Sequence, residues 1–390
     1  MRTGLERLLE NPKPCLGKAR VGLVANPTTV DRQLTHGADL MHRHPDIDLR
    51  LLFGPEHGIR GAVQDMIDVG DARDGVTRLP EVSLYGETFE SLSPTQEHLS
   101  QIDALVFDIQ DVGARYYTYA ATLALCMRAA KMAGKKVVVL DRPNPIGGLQ
   151  VEGGGLDRGL ENFCGLYPVP QRHAMTVGEL ARLYNETFGI GCELEVVACE
   201  SWRRKQYYDE CDLPWVMPSP NMPTLDTAIV YPGMCLLEGT NVSEGRGTTR
   251  PFELFGAPFI DGLALAAELR CCDLPGVLFR QCVIEPTFHK FAGQRCGAVQ
   301  LHVTDRAAFL PYRTGIAVLV ALKKLWPEAF AWRTARYEFR DDVPAIDLLT
   351  GRAAVRKAID AGTGLDAVMQ IACTGTEAYD AGRQKALLYA

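Results

Sequence analysis

Four apolar runs in the first 145 residues each end in a burst of polar side chains, a pattern few folds accommodate. VGLVANP ends near Asn26, and LRLLFGPEHGIRG carries Glu56, His57 and Arg60. ALVFDIQDVGARYYTY carries Asp108, Gln110, Asp111, Arg115 and Tyr117, and VVVLDRPNP carries Asp141, Arg142 and Asn144. Runs of this uniformity are strands buried on both faces, as in a parallel sheet covered by helices. Ligands of such sheets bind in the crevice outside the carboxyl ends of the strands, so the polar bursts mark the expected site.

Helix-like segments at 4–10, 35–43 and 118–133, the last closed by Gly134, alternate with strand-like segments at 21–26, 48–54, 104–109 and 136–141. This alternation implies an α/β fold with right-handed crossovers. Thr176 and Glu179 have capping-box spacing ahead of VGELARLYNETFG, which predicts a helix over 177–188. The strand LEVVAC follows at 194–199. A chain of 390 residues exceeds one core of ordinary size, and composition shifts between about 214 and 260. There PWVMPSPNMPTLDTAIVYPG carries five prolines, and LLEGTNVSEGRGTTRPFELFGAP is rich in Gly, Thr and charge. We read this stretch as a functional loop rather than a linker. Beyond it, LALAAELRCC and TGIAVLVALKKLW read as helices and CGAVQLHVTD as a strand, giving a smaller α+β domain.

A net charge of −7 argues against nucleic acid or an anionic membrane as partner. The start, MRTGLERLLENPKP, has no apolar stretch of signal-peptide length, and no later segment approaches the length of a membrane span. The twelve cysteines show no C-x-x-C pair. A reducing cytoplasm is the expected location of the chain as given; had a leader been removed, it would be secreted or periplasmic. GGLQVEGGGLDRG lacks dinucleotide spacing, and no phosphate-binding loop, G-x-S-x-G elbow or H-E-x-x-H motif occurs. The expected site therefore uses no cofactor and no metal.

What remains are carboxylates interspersed with Asn, Gln, Arg and Tyr, a set suited to a hydroxyl-rich ligand. Glycosidic cleavage needs one carboxylic acid to protonate the leaving oxygen and a second group to attack or to activate water. Glu56 with Glu244 or Glu238 can supply these, although spacing does not show that they meet. Other readings stay open. Asp108 and Asp111 are equally suited to structural pairs with Arg115 or Arg142, DRPNP to a rigid turn, and Asn221 to capping a turn. Tyr116, Tyr117 and Tyr119 suit a core or a sugar platform.

FGPEHGIRG at 53–61, FDIQDVGARYYTY at 107–119, LDRPNPIGG at 140–148, MPSPNMPT at 217–224 and YPGMCLLEGTNVSEGRGTTRPFELFGAP at 231–258 resemble, in order, the signature blocks of the exo-β-N-acetylmuramidase (NamZ) family. The resemblance implies release of N-acetylmuramic acid from the non-reducing ends of peptidoglycan fragments or muropeptides. It also implies a Rossmann-like N-terminal domain, here placed at 1–227, and a smaller C-terminal domain at 228–390 that contributes to the cleft. Glu56 matches the family's candidate catalytic glutamate. We assign Glu244 as its partner, and Asn26, His57, Arg60, Gln110, Asp111, Arg115, Tyr117, Arg142, Asn144, His173, Asn221, Glu238, Asn241 and Arg246 as substrate contacts. Arg115, Arg142 and Arg246 are the expected partners of the muramic lactyl carboxylate, and within DRPNP Arg142 suits it best. The 236–250 loop is expected to close the site opposite Glu56. One departure is the missing export signal, which family members acting outside the cell carry. The competing classes are another carbohydrate-active hydrolase or isomerase, which chelator would inactivate if metal-assisted, and a non-catalytic muropeptide-binding protein.

Overall fold

A computed structural model describes residues 1–61 and 72–390. Its larger sheet contains β1 (Arg20–Ala25), β2 (Asp48–Gly54), β3 (Ala72–Arg73), β4 (Pro80–Ser83), β5 (Ala104–Asp108), β6 (Lys136–Leu140) and β7 (Leu194–Val197). The order is β3-β4-β2-β1-β5-β6-β7, with β3 antiparallel at one edge and the other six strands parallel. β5 is buried along its whole length, as its uninterrupted apolar run requires. The fold is thus the expected α/β, Rossmann-like sheet.

The smaller sheet is antiparallel, in the order β8 (Leu254–Ala257), β10 (Cys296–Val303), β9 (Val277–Ile284). The Thr176–Glu179 capping box forms as predicted, but the α-helix runs only over Val177–Arg182 and widens to a π-turn over Leu183–Thr187. The loop reading of 214–260 needs correction. Within it lies the helix Leu225–Met234, started by Thr224 and carrying Pro232 in its interior.

This helix forms despite its proline because tertiary packing outweighs propensity. It crosses the helix Pro311–Leu325 so closely that a Cβ on Gly233 would lie 1.8 Å from the Pro311 carbonyl oxygen, and one on Gly315 would lie 2.2 Å from that of Gly233. The crossing positions the next turn, Cys235–Gly239, beside the site. Gly315→Ala is therefore expected to lower stability by roughly 1–3 kcal/mol through overpacking. Denaturant midpoints measure this loss, and an unchanged midpoint would show that the helices separate freely.

Candidate active site

β2 ends at Gly54, and the chain turns at once through Pro55, Glu56, His57 and Gly58. The Gly58 N–H donates to the Pro55 carbonyl at 2.9 Å. His57 takes φ +72°, an uncommon conformation for a residue with a Cβ and one that recurs at ligand sites. This turn sets Glu56 beside the start of the helix Tyr119–Met132. Thr118 Oγ1 donates to Glu56 Oε2 at 3.2 Å, and the Tyr119 hydroxyl donates to the Glu56 carbonyl at 3.4 Å.

A cavity of about 910 Å³, counting its open mouth, lies over the turn. From the large-sheet side it is lined by Glu56, His57, Tyr116–Tyr119, Ser219 and Asn221. Tyr231, Glu238, Arg246, His289, Arg333 and the 336–338 stretch complete it from the other. The Tyr117 ring meets Tyr119 and Tyr231 edge-on, with centroids 5.1 and 5.6 Å apart. Burial pushes the phenols of Tyr117 and Tyr231 well above their usual value, so their hydroxyls stay protonated. The Tyr119 hydroxyl also donates to the Pro218 carbonyl at 2.7 Å, fastening the SPNMP segment to this wall.

The charges form two ranks. Glu238 faces the cavity, accepting from Arg246 Nη2 at 2.8 Å and from the Tyr337 hydroxyl at 2.8 Å. Behind it Glu244 is 0% exposed and does not line the cavity. Its Oε1 lies 3.2 Å from both Arg246 Nε and His289 Nδ1, and its Oε2 accepts from Lys290 Nζ at 2.9 Å. Burial alone would raise its carboxyl, but Lys290, His289 and Arg246 together hold it well below the ordinary carboxylate range. Arg246 also lies over the Phe252 ring, 5.5 Å from its centroid. Arg333 and Arg336 make no ion pair among the described residues; they donate to the carbonyls of Arg336 and Glu87.

Of the candidates from sequence, Glu56, His57, Tyr117, Asn221, Glu238 and Arg246 come together on this cavity. The others lie off it, among protein partners. Arg142 forks onto Asp108, with both residues buried and bonds of 2.5 and 2.9 Å. Arg115 donates to the carbonyls of Val169, Leu348 and Leu349. Asn26 accepts from Thr28, and Gln110 donates to the carbonyls of Asp111 and Pro143. His173 Nδ1 accepts from the Met175 N–H, which leaves Nε2 to donate to Asp111 at 3.1 Å. Asn144 holds the Met175 carbonyl, Arg60 bridges Asp39 and Asp74, and Asn241 pairs with the 329–331 backbone. Of the 236–250 residues expected opposite Glu56, Glu238 and Arg246 reach the cavity, while Glu244 and Asn241 do not.

Sequence reasoning missed His289, Arg333, Arg336, Tyr337 and Glu338, which belong to no motif and enter from distant segments. Among the described residues, no group of three or more His, Cys, Asp or Glu is placed to hold a metal ion. None of their helices is long and apolar enough to cross a membrane.

Two family models match the chain: "Exo-beta-N-acetylmuramidase NamZ, N-terminal" over residues 21–226, and the C-terminal counterpart over 229–389. The chain is 44% identical over 389 residues to the peptidoglycan beta-N-acetylmuramidase NamZ of Bacillus subtilis (strain 168), covering 100% of this chain and 91% of that protein. Crystal structures of two DUF1343 family proteins from Bacteroides fragilis NCTC 9343 share the fold. One has a TM-score of 0.91 at 34% identity and covers 100% of this chain and 99% of its own. The other has a TM-score of 0.77 at 27% identity, with 100% and 98% covered. Matches over both halves, joined to full-length identity with a curated relative, show that the chain belongs to the exo-β-N-acetylmuramidase NamZ family.

Proposed function

We propose that this protein hydrolyses the bond linking a terminal N-acetylmuramic acid to the next sugar at the non-reducing end of peptidoglycan fragments. The observation that carries this reading is one cavity holding Glu56 together with a second carboxylate, Glu238, fixed by Arg246 and Tyr337. Glu56 protonates the leaving oxygen. Glu238 supplies the second carboxylate, stabilising positive charge on the sugar ring or assisting water. The tyrosines give the ring a face to lie on. Glu244 acts at one remove, as the buried anion that positions Arg246 and His289.

Muramic acid differs from glucosamine by a lactyl ether that ends in a carboxylate. Arg246 is already matched by two glutamates, whereas Arg333 and Arg336 line the cavity without an ion pair among the described residues. Arg333→Ala is accordingly expected to raise KM for muramyl substrates by roughly 10- to 100-fold, the worth of a charge-assisted bond. The weak turnover of glucosaminyl substrates should barely change. Equal losses on both substrates would move lactyl recognition elsewhere.

The deciding experiment is incubation with the disaccharide muramyl-N-acetylglucosamine and identification of the freed sugars. N-acetylmuramic acid released from the non-reducing end supports the reading. Release of N-acetylglucosamine from glucosaminyl-terminated chains, with muramyl-terminated ones untouched, overturns it.

A further inference from the structure

A second hollow, about 1220 Å³ with its open mouth, adjoins the cavity. It is lined by Tyr85, Gly86, Glu87, Thr88 and Phe339, and it shares Arg336 and Glu338 with the cavity. The two hollows therefore adjoin, divided by the short hairpin that carries Glu338 and Phe339. We propose that this second hollow is the binding site for the leaving saccharide, an uncharged N-acetylhexosamine that keeps the rest of the chain. The proposal rests on the reading above, which puts the terminal muramyl residue in the cavity over Glu56.

The hairpin holds two residues with side chains in a strained turn. Tyr337 and Arg340 exchange both backbone hydrogen bonds, at 2.8 and 2.9 Å. Its two central residues, Glu338 and Phe339, take φ +45° and +66°. A two-residue turn with positive φ at both positions ordinarily holds Asn-Gly or Asp-Gly, because a side chain there is strained. A phenylalanine in that place sets a ring at the lip of the second hollow while its neighbour faces the first. The ring is braced edge-on by Tyr85, Phe89 and Phe163, at 6.4, 6.2 and 6.1 Å between centroids. Arg336 Nη2, donating to the Glu87 carbonyl at 3.4 Å, ties the hairpin to the opposite wall.

The chemistry of the two hollows also differs in the way the substrate does. The cavity over Glu56 holds three arginines, Arg246, Arg333 and Arg336, suited to a sugar that bears a carboxylate. The second hollow has an aromatic lip, Thr88 and the carboxylates Glu87 and Glu338; Arg336, at the junction, is the cation among its lining residues, so this hollow does not suit a second carboxylate-bearing sugar. An exo-acting enzyme encloses one terminal sugar and must give the remainder an exit, and this hollow adjoins the cavity across the shared Arg336 and Glu338.

The test compares two substrates of the wild-type, full-length protein: muramyl-N-acetylglucosamine, whose leaving sugar would fill the hollow, and β-muramyl fluoride, whose leaving group is too small to reach it. Phe339→Gly removes the ring and suits the turn, and Thr88→Trp fills the hollow from an exposed position without touching the aromatic packing. Both variants are expected to lose roughly tenfold in kcat/KM on the disaccharide through KM, with fluoride hydrolysis within about twofold of wild type. Parallel losses on both substrates, or no loss on either, overturn the proposal. A loss confined to substrates that bear a stem peptide also overturns it, since the occupant would then be peptide. Should the wild-type protein hydrolyse neither substrate, it is the proposed function that fails, not the placement of the leaving sugar.

Discussion

Glu56→Gln should lower kcat on muramyl-N-acetylglucosamine by about 10²–10⁴, the range for loss of a general acid, and leave the fold intact. The amide keeps the shape of the side chain and can still meet Thr118 Oγ1, now 3.2 Å from Glu56 Oε2, so little packing is disturbed. Only the transferable proton is gone. KM should move far less than kcat, because the sugar is held mainly by the tyrosine wall and the arginines. A folded Glu56→Gln protein with near-normal turnover would remove Glu56 from the chemistry, and the acid role would pass to Glu338 or Glu238, the other carboxylates of the cavity.

The next largest effect is expected at Glu244. Glu244→Ala leaves Arg246, His289 and Lys290 gathered around a vacated anion site, and removing one partner from a buried charge network costs about 3–5 kcal/mol. Urea unfolding near neutral pH measures this. The same contacts predict a pH dependence with a definite sign. The folded carboxyl is held below its ordinary value of 4.5, so its contribution is complete above that value and is lost as pH falls through it toward the folded value. The stability gap between wild type and Glu244→Gln should therefore shrink from about pH 5 to about pH 3. A gap that stays constant over that range would mean that Glu244 is not the anion holding these cations. Turnover should fall as well, because Arg246 and His289 lose the group that aims them into the cavity.

The strands β1, β5 and β6 are legible in the sequence because burial on both faces demands an unbroken apolar run, and β2 because only Arg50 interrupts its own. The helices at 119–132, 262–270 and 311–325 are legible from their periodicity. The strand Val277–Ile284 escaped notice because its outward positions, Leu278, Arg280 and Gln281 among them, blur the alternation. The helix at 225–234 was hidden by Pro232, since its stability comes from the glycine crossing with a helix about 80 residues later in the chain. Local propensity holds no record of such a partner.

At the site the division is sharper. Glu56 can be read from sequence because a strand end followed by Gly-Pro-Glu-His-Gly places a carboxylate at the sheet's carboxyl edge. Arg142 stands at the same kind of edge and looked like a ligand-binding cation, yet its Nε and Nη2 donate to Asp108 at the end of the neighbouring strand, and Nη2 also to the Val30 carbonyl. Asn26 is likewise absorbed by Thr28 and, at 3.5 Å, by the Pro218 carbonyl. Polar groups nearest the strand ends are consumed in holding the loops together, because a buried polar atom without a partner is costly. The sequence by itself thus determined the parallel sheet, the family and the edge at which Glu56 stands, since each depends on residues close together in the chain. Only the tertiary structure decided that Glu238 rather than Glu244 reaches the cavity, and that Arg333, Arg336 and His289 join it. Those outcomes depend on contacts between residues far apart in the chain, such as Glu244 with His289 and Lys290.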